Sequence, residues 1–142
     1  MSHVRQQARD LIVAALNTTA YTTYSSRVYP LGSSTLPTIL VYTRDESSEP
    51  ITTSYPRTVE KSLQLIVEVY QSGASDTIDD ILDDITIVVE NTLNVQNSLY
   101  KDISLSNTVV DFSDDGEKPL GVATLTYQII YHTKEDNAEV AV

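Results

Sequence analysis

The chain has no cysteine and no tryptophan, only four glycines, and few basic residues. Without cysteine it can hold no disulfide, no thiolate nucleophile and no zinc site built on sulfur. With so little glycine, neither a phosphate-cradling loop nor a dinucleotide fingerprint can be written. No stretch approaches the about 18 apolar residues of a membrane-spanning helix, and the N-terminal Met-Ser-His-Val-Arg-Gln-Gln lacks the apolar centre of a secretory signal. Nine Lys and Arg stand against twenty Asp and Glu, for a formal net charge of −11. That balance argues against a protein that grips nucleic acid by its phosphates, while leaving room for DNA to slide past an unattractive wall.

Histidine is also scarce. His3 lies near a chain end and His132 closes an apolar segment, so a Ser-His-Asp triad would have to use one of these, and no Gly-x-Ser-x-Gly elbow accompanies them. No catalytic residue, cofactor or enzymatic activity is expected. Two acidic groups raise the question of metal. Asp111-Phe-Ser-Asp-Asp-Gly116 resembles the first half of a calcium loop, but its twelfth position is Val122 rather than a bidentate Glu and its flanks read as strands. Asp76, Asp79, Asp80, Asp83 and Asp84 fall mostly opposite the apolar stripe of a helix, where they read as a solvated face. No metal site is expected.

What is present is a regular pattern of apolar residues over 142 positions, enough for one core and too few for two domains of ordinary size. Val4, Ala8, Leu11, Ile12, Ala15 and Leu16 recur at helical spacing, with Ser2 as the candidate cap and Asn17-Thr-Thr as the stop. A second helix starts at Ser75 or Asp76 and carries Ile78, Ile81, Leu82, Ile85, Val88, Val89 and Thr92 to about Leu93. Its many β-branched residues lower its intrinsic propensity, so packing on a sheet must hold it. Strands are expected at Arg27 to Leu31, Thr38 to Thr43, Thr58 to Tyr70, Ile103 to Phe112 and Val122 to His132, the last two joined through Asp114-Asp-Gly116. Along Thr58 to Tyr70, Leu63, Leu65, Val67 and Val69 share one face; in the last strand Ala123, Leu125, Tyr127, Ile129 and Tyr131 do so.

These elements make a single α+β domain, residues 1–133, with a mostly antiparallel sheet of about four to five strands and both helices on one face. The other face, with Ile66, Tyr70, Gln128 and Ile130, is left to solvent or to another subunit. Arg44 to Pro56 reads as a mobile loop and Lys134 to Val142 as a flexible tail. Aromatic residues are almost all tyrosine, nine against one Phe, which suits strands and suits surfaces buried on association.

The order of helix, Leu36-Pro-Thr-Ile-Leu-Val-Tyr42, long acidic loop, Leu63-Gln-Leu-Ile-Val-Glu-Val-Tyr70, helix, strand, Asp-rich turn and Leu125-Thr-Tyr-Gln-Ile-Ile-Tyr131 resembles the tail terminators of long-tailed bacteriophages, the lambda-type minor tail protein U family. The likeness spans about Val4 to Tyr131 and departs from the family after Lys134 and in the Ser- and Thr-rich Asn17 to Thr35. It implies a virion protein assembled in the host cytoplasm as a hexameric ring. Such a ring caps the tail tube protein, ends polymerisation, and offers a surface to the head-tail connector protein while DNA passes through its lumen. It carries no catalytic residues. On this reading Arg44, Asp45, Glu46, Tyr55, Arg57, Asp114, Asp115 and Gln128 are the candidate subunit and partner contacts. Another neck or head completion protein, an α+β adaptor outside phage, and a small enzyme are the alternatives.

Overall fold

The computed structural model describes residues 2–19, 21–25, 38–72, 75–93, 98–113 and 120–142. The first apolar stripe forms helix α1 (Val4–Asn17), with Val4, Ala8, Ile12 and Leu16 buried. Its cap is His3 rather than the expected Ser2: the ring nitrogen Nδ1 accepts from the Arg5 N–H at 3.0 Å. An imidazole acceptor does here what a serine hydroxyl does elsewhere, satisfying one of the helix's open N–H groups. Helix α2 (Ser75–Leu93) buries Leu82, Ile85, Val89 and Leu93. The Thr86 and Thr92 hydroxyls donate back to the Leu82 and Val88 carbonyls, each at 2.7 Å, so two of its β-branched residues spend their polar group within the helix.

Among the described residues six strands follow in chain order as β1 (Thr22–Tyr24), β2 (Thr38–Pro50), β3 (Thr58–Ser72), β4 (Asp102–Ser113), β5 (Leu120–Lys134) and β6 (Asn137–Ala141). The sheet order is β1-β2-β3-β5-β4, with β6 also on β5. Among the described residues only β1 runs parallel to its neighbour, and the other pairs are antiparallel. The count exceeds the expected four to five because β1 and β6 carry no apolar alternation that would announce them. The strand expected at Arg27 to Leu31 lies outside the described residues.

Both helices pack on one face. Register places Val41, Val67 and Leu125 side by side, as it does Ile39, Val69 and Ala123. These join the α1 and α2 stripes in one core with Leu63, Leu65, Tyr127, Ile129 and Tyr131. On the second face, Thr58 meets Lys134, Glu60 meets His132 and Gln64 meets Gln128. That face is polar at this end. At the other end Leu40 and Ile66 are buried, Ile66 to 1% exposure, among Tyr42, Glu68, Thr124 and Thr126. The expected exposure of Ile66 is therefore corrected.

Two segments expected to be irregular are strands. β2 does not stop at Thr43 but continues through the acidic stretch to Pro50, with a bulge between Thr43 and Glu46. The C-terminal segment expected to be a flexible tail folds as β6. β3 occupies one whole edge of β5, and β4 covers the other only as far as Ile130. The last turn of β5 thus has open backbone groups, and β6 satisfies them: Thr133 pairs with Ala141, and the Val142 N–H donates to the His132 carbonyl at 2.8 Å. Gln7 of α1 holds β6 from the helix side, donating to the Glu139 carbonyl at 2.8 Å.

Candidate assembly surface

The bulge in β2 decides what the acidic stretch does. Between the pairs Thr43–Leu65 and Glu46–Leu63, β2 advances three residues while β3 advances two. One extra residue flips the alternation. Glu46 therefore turns to the helix side, in register with core residue Leu63, and Arg44 and Asp45 remain exposed. The Glu46 side chain is only 8% exposed and takes the Arg5 guanidinium at 2.9 Å, with the Lys61 ammonium at 3.9 Å. The buried Tyr131 hydroxyl donates to its other oxygen. Burial first, then this hydrogen bond and the charge of Glu46, push the Tyr131 phenol far above its usual range. Burial and the neighbouring Arg5 hold His3 below its usual value. Glu46, expected as a partner contact, is thus an internal anchor joining α1, β2, β3 and β5.

Beyond Pro50 the β2–β3 hairpin ends in an exposed tip, residues 51–56. The tip is braced at both ends of the loop. The Ile51 N–H donates to the Thr58 carbonyl, and the Thr58 N–H to the Thr52 hydroxyl, both at 2.8 Å. A second brace comes from the β5–β6 turn. Glu135 accepts from the Arg57 N–H at 3.2 Å and from its guanidinium at 3.1 Å, and its own N–H donates to the Arg57 carbonyl at 2.9 Å. The same guanidinium lies 4.7 Å from the centre of the Tyr55 ring, close enough for a cation–π contact. Tyr55 nonetheless remains 77% exposed, beside the half-exposed Ile51. Arg57 is thereby an organiser of the tip, and Tyr55 is what the tip presents.

On the second sheet face, Asp45, Ser47, Ser62, Gln64, Ser106 and Gln128 line a shallow groove of about 340 Å³. Gln128 is exposed there, as expected, and donates to the Ser62 hydroxyl. Asp45 and Gln128 so belong to one surface, whereas Tyr55 and Arg57 belong to the hairpin tip. Asp114 and Asp115 lie outside the described residues. Asp79, Asp80, Asp83 and Asp84 are exposed on α2.

No group of three or more His, Cys, Asp or Glu among the described residues could hold a metal ion. His132 Nε2 sits 3.2 Å from Glu60, a pair on the second face. Among the described residues no helix is long and apolar enough to cross a membrane. The chain matches no protein-family model and no curated protein.

The sequence pattern missed Glu135 as the partner of Arg57 and Arg5 as the partner of Glu46, separations of 78 and 41 residues. Only the pairing of β3 with β5, and the β2 bulge, bring them together.

Proposed function

We propose that the chain is a structural subunit of a bacteriophage tail, a terminator that assembles as a hexameric ring on the end of the tail tube and offers its other side to the head-tail connector. The observation that carries this reading is the braced hairpin tip. Two loops distant in sequence are bolted together through Arg57 and Glu135, and the result holds Tyr55 out in solvent. An aromatic side chain already fixed in place loses little entropy on binding, and Tyr and Arg dominate the residues that carry interface energy.

The fold supports the reading by its one-sidedness. The helices cover one sheet face, and much of the other is a polar surface lined by Asp45, Ser47, Gln64 and Gln128. A tube grows because each ring exposes the same heterologous end; a terminator must match that end on one side and differ on the other. The excess of acidic residues suits a lumen through which DNA passes without sticking.

Electron microscopy of the purified protein, alone and mixed with tail tubes, tests the proposal. Rings in either sample, and tubes of fixed length capped at one end, are the expected result. A protein that stays monomeric and leaves the tubes growing overturns it. Tyr55→Ala should abolish capping while leaving the subunit's melting temperature unchanged.

A further inference from the structure

Strand β4 leaves part of the helix side of the sheet uncovered. Its helix-side positions are set by register: Leu105 beside Tyr127, Val110 beside Ala123 and Phe112 beside Gly121. Val110 and Phe112 are nevertheless 47% and 44% exposed, because α2 packs mainly over β3 and β5. The facing side of α2 is acidic. Asp79, Asp83 and Glu90 are spaced by four and seven residues, which places them along one flank of a helix.

The direction of α2 aligns these two rails. It starts three residues after Ser72, whose register partner is Leu120 at the start of β5, and it ends with Leu93 at Tyr127. Asp79 and Asp83 therefore lie toward the Phe112 end and Glu90 toward the Leu105 end. At that end the space between helix and strand deepens into a cleft of about 390 Å³, lined by Glu90, Asn91, Leu93, Ile103, Leu105 and Tyr127. Tyr127 rises into it from β5, 4% exposed, and its hydroxyl has no hydrogen-bond partner. A buried hydroxyl without a partner is costly, and a ligand group that bonds it recovers that cost. Burial and the charge of Glu90 raise the phenol's pKa, so it stays protonated and neutral at ordinary pH.

We infer that the groove between α2 and β4 binds an extended basic segment of a partner protein, with apolar side chains on Val110 and Phe112 and an Arg or Lys head between Glu90 and the Tyr127 hydroxyl. Charge chooses this occupant. One wall is acidic, the other carries Leu105, Val110 and Phe112 with Thr108 between them, and the protein as a whole carries −11. An acidic or neutral segment would leave Glu90 and its neighbours unpaired. In an extended chain alternate residues point to opposite sides, so alternating basic and apolar residues meet the two rails at once. The inference rests on this groove alone and holds whether or not the protein caps a tail tube.

The test uses a capped ten-residue peptide of alternating Arg and Val, and the same peptide with citrulline for Arg, titrated into the full chain by calorimetry with NMR shift mapping. The arginine peptide should shift Glu90, Leu93, Ile103 to Leu105 and Tyr127, and the citrulline peptide should bind about tenfold more weakly or not at all. Glu90→Gln and Tyr127→Phe should each weaken the arginine peptide about tenfold. Asp84→Asn, the same change of charge off that flank, should weaken it less than about twofold. Tyr127→Phe keeps the ring, and a melting temperature no lower than that of the parent protein separates lost binding from lost folding. Equal weakening by Asp84→Asn, equal binding of the citrulline peptide, or shifts scattered over the acidic surface would overturn the inference.

Discussion

Replacing Glu46 with alanine should be among the most damaging single changes outside the apolar core, and the structure allows its size to be worked out. Three groups lose the carboxylate. The Tyr131 hydroxyl is fully buried, and losing a hydrogen bond to a charged acceptor costs about 1.5 to 3 kcal/mol. Lys61, its side chain 17% exposed, is left with an unpaired ammonium in a half-dry site and adds about 1 kcal/mol. Arg5 is 46% exposed, so water and salt screen its contact and it adds at most about 1 kcal/mol. The total is about 2.5 to 5 kcal/mol, a large share of the roughly 5 to 15 kcal/mol that holds a domain of ordinary stability. Glu46→Gln keeps an acceptor and loses the charge, and should cost about half as much. Urea unfolding measures both. A double-mutant cycle with Tyr131→Phe should return a coupling of about 1.5 to 3 kcal/mol. A loss below about 0.5 kcal/mol for Glu46→Ala, or a coupling that small, would show that the carboxylate is a solvated surface group and that the bulge has no such consequence.

Tyr131 and Tyr127 both have phenol groups raised above the ordinary 10.0, so the folded state keeps protons that the unfolded chain gives up. Their contribution is complete below that pH and falls as pH rises beyond it; Tyr131→Phe should flatten the alkaline limb of a stability–pH curve, and an unchanged limb would contradict this. His3 is lowered from 6.5, so its contribution is present above that pH and lost as pH falls below it, since a protonated ring cannot accept the Arg5 N–H. His3→Asn should keep the cap and remove this acid dependence, as circular dichroism melts at pH 5 and 7.5 would report. Leu125 is fully buried between Val67 and Thr108, and Leu125→Ala should cost about 2 to 5 kcal/mol by urea unfolding. Gln128→Glu, on the exposed face, should leave the melting temperature nearly unchanged while blocking rings under the microscope; full rings would make that face merely solvated.

The core was legible in the sequence because its residues repeat with the period of their element. Val4, Ala8, Ile12 and Leu16 mark a helix by spacing alone, and Leu63, Leu65, Val67 and Val69 mark a strand. One-sided packing followed, since two amphipathic helices cannot cover both faces of the sheet. The edges were not legible. In β6 only Ala138 and Ala141 are half-buried, a spacing of three that fits no strand pattern. What makes it a strand is the open edge of β5 beyond Ile130, a property of the assembled sheet. The second half of β2 hid in the same way. Its alternate residues Glu46, Ser48 and Pro50 pair with Leu63, Lys61 and Val59, so the pattern changes from apolar to polar while the strand continues.

The candidate surface was legible by composition and illegible by residue. A charged, Pro-bounded segment marked out the hairpin that carries Tyr55, yet it named Asp45 and Glu46 together. These neighbours have opposite fates because one extra residue sits between Thr43 and Glu46. Without that bulge Asp45 would lie opposite Leu63, its shorter side chain would face the cluster of Arg5, Lys61 and Tyr131, and Glu46 would stand in solvent. No local preference separates an aspartate from a glutamate at adjacent strand positions by more than a fraction of the several kcal/mol at stake in that cluster. The longer reach of Glu46 to three partners on α1, β3 and β5 therefore supplies a physical reason for the bulge to sit where it does. Shortening β2 by deleting Arg44 would restore regular alternation with Asp45 opposite Gln64 and Glu46 still opposite Leu63, so Tyr131 should keep its acceptor and urea unfolding should find the stability little changed.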